Sequence, residues 1–344
     1  MSSSTEAEPA AAPSRWRRAW PWINGILTAV LLIGGIWYLS HTIDFRDVQE
    51  AVSSANLWLI VLALLTFVVN GAVKAWRWRV LLAPDQEKEV AFSAVFWAIW
   101  LGQFVNVILP FLRLGEIARA YAINQQTGFS KVRALSTVVV EKSLELVMLG
   151  LVVLVLLPIL ALPENMQGSG LTLLLIAGAV MAGLSIVAYQ TNWGISQLRR
   201  LFHLLPQSIE IKLTNLLIGG LEGLASLRSR AALGRLLASS VLLALLGLLT
   251  PYLLFLAFHI PLGLAEAAVT DSALSLTTSA PSTPGQLGIF EGTVVLVLYQ
   301  FGQTNQAITL SYAVVYHLAV LLPKIVLGGL AASRTNWRWQ QDKS

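Results

Sequence analysis

The sequence predicts an all-α integral membrane protein with about six full crossings and two re-entrant broken-helix hairpins, arranged as an inverted repeat. Three observations carry that prediction. Of 344 residues, 56% are hydrophobic and only 12% charged, with a mean hydropathy of +0.69, a composition foreign to soluble domains. The apolar residues gather in runs near the roughly 20 that a helix needs to cross the hydrocarbon. Two further runs are interrupted part-way by proline, glycine and polar residues.

In chain order, residues 1–20 open on the small, polar "MSSSTEAEPAAAPS" and predict a disordered cytoplasmic N-terminus. "RWRR" before an apolar run resembles the start of a signal peptide, but no small-x-small cleavage site follows. Residues 22–40 therefore read as a retained first crossing. A second crossing is expected at 57–76, a broken hairpin at 91–123 and a third crossing at 134–157. The same order then repeats: a crossing at 171–190, another at 236–258, a broken hairpin at 264–301 and a last crossing at 307–330. Between them, 191–235 carries leucines at helical spacing with basic residues among them, interrupted at Pro206 and at Gly219 and Gly220. It reads equally as cytoplasmic helices on the membrane surface or as a packed connector. The membrane domain spans 21–333, as half A (21–158) and half B (170–333), and 334–344 forms a cytoplasmic tail.

Basic residues set the orientation. Lys74, Arg77, Arg79 and Lys88 follow the second crossing; Arg113, Arg119, Lys131 and Arg133 follow the first broken segment; Arg199 to Arg235 supply more, and Arg334 and Arg338 lie near the end. All fall on one side if each broken segment returns to the side it left, and the positive-inside tendency makes that side cytoplasmic. Both termini are then cytoplasmic in a multi-pass protein of the cell (inner or plasma) membrane. Each half holds three crossings, an odd number, so the second half runs upside down relative to the first. Pro110 and Pro284 mark the two breaks, where such repeats place a midplane binding site.

Charges at membrane depth cost about 2.5–3.5 kcal/mol even on lenient insertion scales. "VEKSLEL" puts Glu141, Lys142 and Glu145 in the third crossing, with Glu141 and Glu145 on one helical face. Two neighbouring carboxylates in a poor solvent call for a cation or a proton, and Lys142, Arg113 and Arg119 are the expected cations. The network either pins the hairpin to the crossing or serves transport. In "TTSAPSTPGQLGIFEG", Pro281 and Pro284 remove backbone donors, and Gln286 onward is expected to start a second half-helix whose amide terminus attracts anions. A simple kink is the alternative. His317, deep in the last crossing, either titrates, binds phosphate or serves as a packing hydrogen-bonder, and Lys324 is expected to snorkel.

The chain has no cysteine and four scattered histidines, so disulfides and thiolate metal sites are excluded and no metal or other cofactor is expected. The net charge of +5 and pI near 9.6 are accounted for by cytoplasmic loops, without nucleic acid as a partner. No hydrolase elbow, zinc helix, P-loop or dinucleotide fingerprint is present, and the chain is not expected to be an enzyme.

"LPFLRLGEIARAY", "EKSLE" and "PSTPGQLGIFE" together resemble the flippase-like transmembrane domain of lysylphosphatidylglycerol synthases, over about residues 20–333. Glu116 stands where that family tends to have Asp, Lys142 where it has Arg and Glu145 where it has Asp. The resemblance implies translocation of an anionic lipid or lipid-linked glycan, without the soluble catalytic domain that some members carry. On it, Arg113, Arg119, Lys142, Gly285 and Gly288 are the candidates for holding the lipid phosphate. Glu116, Glu141, Glu145, Glu291 and His317 are the charge network, and Pro110, Gly115, Pro281 and Pro284 the helix breaks. A non-transporting anchor or regulatory subunit of a separately encoded glycosyltransferase or synthase is the alternative; an intramembrane transferase lacks a recognisable nucleophile.

Overall fold

From Leu57 to Leu82 the backbone is one uninterrupted helix of 26 residues, because a chain surrounded by hydrocarbon has to satisfy its peptide groups internally. The computed structural model describes residues 45–82, 90–109, 114–156, 230–279 and 283–335, all but the first of which lie in one compact unit, Arg46–Ser344. The expected crossings at 22–40 and 171–190, most of the 191–235 connector, and Pro110, Arg113 and Pro281 lie outside the described residues.

Within them the order is α1 (Phe45–Ser54), α2 (Leu57–Leu82), α3 (Phe92–Ile108), α4 (Gly115–Thr127), α5 (Lys131–Leu156), α6 (Arg230–Ala257), α7 (Leu264–Thr277), a 3-10 turn (Pro284–Gln286), α8 (Ile289–Gln300) and α9 (Gln306–Arg334). Every described element is helical. Among the described residues three helices are long and apolar enough to cross a membrane: Leu57–Leu82, Ala231–Ala257 and Gln306–Arg334. α5 has 26 residues as well, but its middle carries the charges of "VEKSLEL".

The second crossing extends past the apolar run expected to end at residue 76. Lys74, Arg77 and Arg79 lie within α2, not in a cytoplasmic loop after it. The helix continues through them because Lys74 and Arg77 meet carboxylates of α5. Arg119, also counted with the loops, is buried in α4.

Both interrupted regions are pairs of short helices. α3 has 17 residues, about 26 Å at 1.5 Å per residue, and α8 has 12, about 18 Å. Each falls short of a hydrocarbon core of about 30 Å. In the first pair the arms touch backbone to backbone: a Cβ on Gly102 would lie 2.7 Å from the Gly115 carbonyl oxygen. Asn106 completes the join, its Oδ1 accepting from the Gly115 N–H at 2.9 Å. In the second pair α8 begins at a glycine whose N–H donates to a carboxylate one turn on, Gly288 to Glu291 Oε2 at 2.8 Å.

Two hydrophobic cores result. One gathers α3 and α4 with the C-terminal end of α2 (Trp78, Leu81), the start of α5 (Ala134, Val138), Leu236 near the start of α6, and Ala331 near the end of α9. The other gathers α7 and α8 with Ala55 just before α2 and Ala63 near its N-terminal end, the end of α6 (Leu254, Phe255) and Tyr312 and Tyr316 of α9. Thus α2 and α9 run from the second core to the first, and α6 runs the other way. Neighbours also match in order: α2 packs on α3 as α6 packs on α7, α3 on α9 as α7 on α5, and α4 on α5 as α8 on α9. Leucines and valines such as Leu62, Leu65 and Val69 line the outside of α2, as a lipid-facing surface requires.

Candidate functional site

Glu141 is the centre of the polar interior. One helical turn separates it from Glu145 on α5, and α2 presents Lys74 and Arg77, three residues apart on a facing surface. Arg77, 1% exposed, places Nη2 at 3.4 Å from Glu141 Oε1 and 3.0 Å from Glu145 Oε1, and its Nη1 donates to Ser240 of α6 at 3.4 Å. Arg119 Nη1 lies 2.8 Å from Glu141 Oε2, an electrostatic contact in which the N–H is not aimed at the oxygen. Its guanidinium covers the Trp78 ring at 4.7 Å, and Trp78 is held by its Nε1–H donating to Thr137 Oγ1 at 2.9 Å. Glu145 also receives Lys74 at 3.3 Å and Lys142 at 3.0 Å. Lys142, half-exposed, reaches Glu116 Oε1 at 4.0 Å.

A cavity of about 200 Å³ opens beside this network. Lys74, Gln103, Glu116, Arg119 and Lys142 line it from the first core's side, and Thr278, Gln286 and Lys324 from α7, the turn and α9. It therefore lies where the broken ends of the two helix pairs approach each other.

At the second break the backbone takes the left-handed conformation at Gly285 (φ 64), Gln286 (φ 62) and Gly288 (φ 81). Gln286 bears a Cβ, so its conformation costs about 1–2 kcal/mol. His317 clamps this turn. Its Nδ1 is 2.6 Å from Glu291 Oε1 and its Nε2 2.8 Å from the Gly285 carbonyl oxygen, with the ring stacked on Phe290 at 4.5 Å. A carbonyl only accepts, so Nε2 carries a proton. Nδ1 faces the Glu291 carboxylate, so both ring nitrogens are engaged.

The family model described as lysylphosphatidylglycerol synthase TM region matches residues 25–328. The chain belongs to that family. No curated protein matches it.

Of the residues predicted for the site, Arg119, Lys142, Glu116, Glu141 and Gly115 line the cavity. Glu145 stands behind them in the ion network, and Gly285, Gly288, Glu291 and His317 form the separate clamp at the second break. Pro284 opens the 3-10 turn. Sequence reasoning did not single out Arg77, Lys74 or Lys324 as site residues. Asn70, Lys74 and Arg77 recur at four- and three-residue spacing, a polar helical stripe that an assignment ending at residue 76 obscured. Lys142, expected to serve both acids of α5, serves Glu145 and Glu116, and Glu141 is taken by two arginines. Among the described residues no cluster of three or more metal-ligating side chains occurs.

Proposed function

We propose that the chain moves an anionic lipid or a lipid-linked glycan between membrane leaflets, without covalent chemistry. The observation that carries this reading is the charged cavity at the meeting point of the two broken helix pairs, lined by side chains from both. A polar, partly open cavity between helices long enough to span the bilayer suits a headgroup passing through hydrocarbon while its acyl chains stay outside. Membership of a family named for a lipid synthase supports a membrane lipid as the ligand.

The reading includes an inverted repeat with two re-entrant hairpins and both termini cytoplasmic in the cell membrane. Several features support it. Counterpart helices start at matching distances along the chain: Leu57 and Arg230, Phe92 and Leu264, Gly115 and Ile289, Lys131 and Gln306. α2 and α6 run oppositely between the two cores, and the two helix pairs sit in different cores. Each second arm carries an acid near its start that meets a base on the following long helix, Glu116 with Lys142 and Glu291 with His317.

The test is reconstitution of the full chain in vesicles carrying headgroup-labelled anionic phospholipid or polyprenyl-linked glycan, with a membrane-impermeant reagent reporting accessibility. The protected inner-leaflet fraction is expected to fall well below that of protein-free vesicles. Full protection of every lipid tried overturns the reading. Cysteines placed at Gln125 and Gln303 are expected to label from opposite sides, and labelling from one side removes the inverted repeat.

A further inference from the structure

We infer that Lys324, with Lys74, holds the single negative charge of a small phosphodiester headgroup in the cavity, and that Arg77 and Arg119 are structural; this rests on the lipid-transport reading above. The first ground is the commitment of the other cations. Arg77 is divided between Glu141 and Glu145, Arg119 lies against Glu141 and the Trp78 face, and Lys142 spans Glu145 and Glu116. Lys324 lines the cavity from the middle of α9, and among the described residues its ammonium makes no hydrogen bond or ion pair. Its one favourable contact is the face of Phe67, 5.7 Å away. A lysine inside a spanning helix without a counter-charge is costly. A ligand that brings the counter-charge removes that cost.

The second ground is the charge count. Among the described residues around the cavity, the cations are Lys74, Arg77, Arg119, Lys142 and Lys324, and the carboxylates are Glu116, Glu141, Glu145 and Asp271, the last within electrostatic range of Lys74. Among these described groups the cations outnumber the carboxylates by one. Glu145 is already divided among three cations, so Lys74 is only partly neutralised and lies within electrostatic range of Lys324. A phosphodiester carries one negative charge, and its two free oxygens can meet two ammonium groups as point charges.

The third ground is size. A cavity of about 200 Å³ is smaller than the roughly 300–1,000 Å³ of drug-sized sites. It suits a phosphate with a short substituent. Gln103, whose amide makes no hydrogen bond among the described residues, is positioned for a neutral hydroxyl of that substituent.

The experiment uses the full chain in detergent, with dihexanoyl phosphatidylglycerol, dihexanoyl phosphatidylcholine and inorganic phosphate as probes in calorimetric titrations. The anionic lipid is expected to bind more tightly than the zwitterionic one, and Lys324→Gln to weaken that binding about tenfold or more, the loss of one charge-assisted contact. Lys324→Arg is expected to keep most of it. Without ligand, Lys324→Gln should unfold at the same temperature as wild type or higher, because it removes an uncompensated charge. A purely structural lysine would give a lower one.

Unchanged affinity in a folded Lys324→Gln protein overturns the inference, as does loss of ligand-free stability. Inorganic phosphate binding as tightly, with the same dependence on Lys324, overturns the lipid assignment. Wild-type vesicles that bind but do not translocate sink the transport reading and leave this inference standing. Equal translocation by wild type and Lys324→Gln does the reverse.

Discussion

Replacing Arg77 by Gln tests the ion network at its most buried member. Arg77 is 1% exposed and Glu141 2%, whereas Lys142 is 49% exposed on the cavity. Removing Arg77 leaves Glu141 with Arg119 alone, takes one of three cations from Glu145, and leaves a hole lined by Ser240. Breaking one side of a buried pair costs about 3–5 kcal/mol. Lys142→Ala removes an accessible partner from a carboxylate that keeps Lys74 and Arg77, and exposed pairs contribute about 0–1 kcal/mol. The ordering is therefore the reverse of what the spacing of Glu141, Lys142 and Glu145 suggests by itself. Thermal and denaturant unfolding of both variants in one detergent measures it, and Arg77→Gln combined with Glu141→Gln is expected to cost less than the sum of the two single changes, because their mutual contact is lost only once, although the buried Arg119 then lacks its carboxylate. Equal destabilisation by Lys142→Ala and Arg77→Gln, or a double variant as unstable as the sum of its singles, refutes the reasoning.

Two further outcomes are expected. Gly102→Leu should destabilise the protein by about 1–3 kcal/mol or more, the usual cost of overpacking, because its Cβ would meet the Gly115 carbonyl oxygen at 2.7 Å; unfolding midpoints check it, with Gly292→Ala, where a Cβ meets open space, as the control. His317→Gln should lose the two-sided clamp on Glu291 and the Gly285 carbonyl, lowering translocation while the chain stays folded; the vesicle assay run beside the unfolding curve separates those effects.

The long helices were legible because hydrophobic length is a one-dimensional property. α5, α6 and α9 begin and end within a few residues of the expected 134–157, 236–258 and 307–330. The end of α2 was not, because Lys74 and Arg77 look like loop residues until α5 supplies their partners, more than sixty positions away. The two broken regions were visible through Gly115, Pro284 and Gly285, since these residue types mark backbone that leaves the helix. The reason for Gly115 was not visible, because its contact with Gly102 exists only once the arms fold together. Charge type and depth in "VEKSLEL" identified the acids. Which cation meets which acid depends on the rotation of α2 against α5, and no local pattern encodes that. Lys324 was the least legible: a lone lysine in an apolar helix is read by default as reaching for the surface, and its place on a cavity wall follows only from the packing of α9 on α3.

The division of the apolar interior into two cores, with the charged cavity between, has a bearing on leakage. Each core surrounds one pair of short helices, and the two stand in series along α2, α6 and α9. On the transport reading proposed above, slackening one core would open the cavity to a single side while the other kept the two compartments apart. A vessel with two doors and one chamber works in the same way. Cavity-forming substitutions confined to one core, such as Leu81→Ala or Phe255→Ala, should then leave vesicles tight, and only the pair together should make them porous.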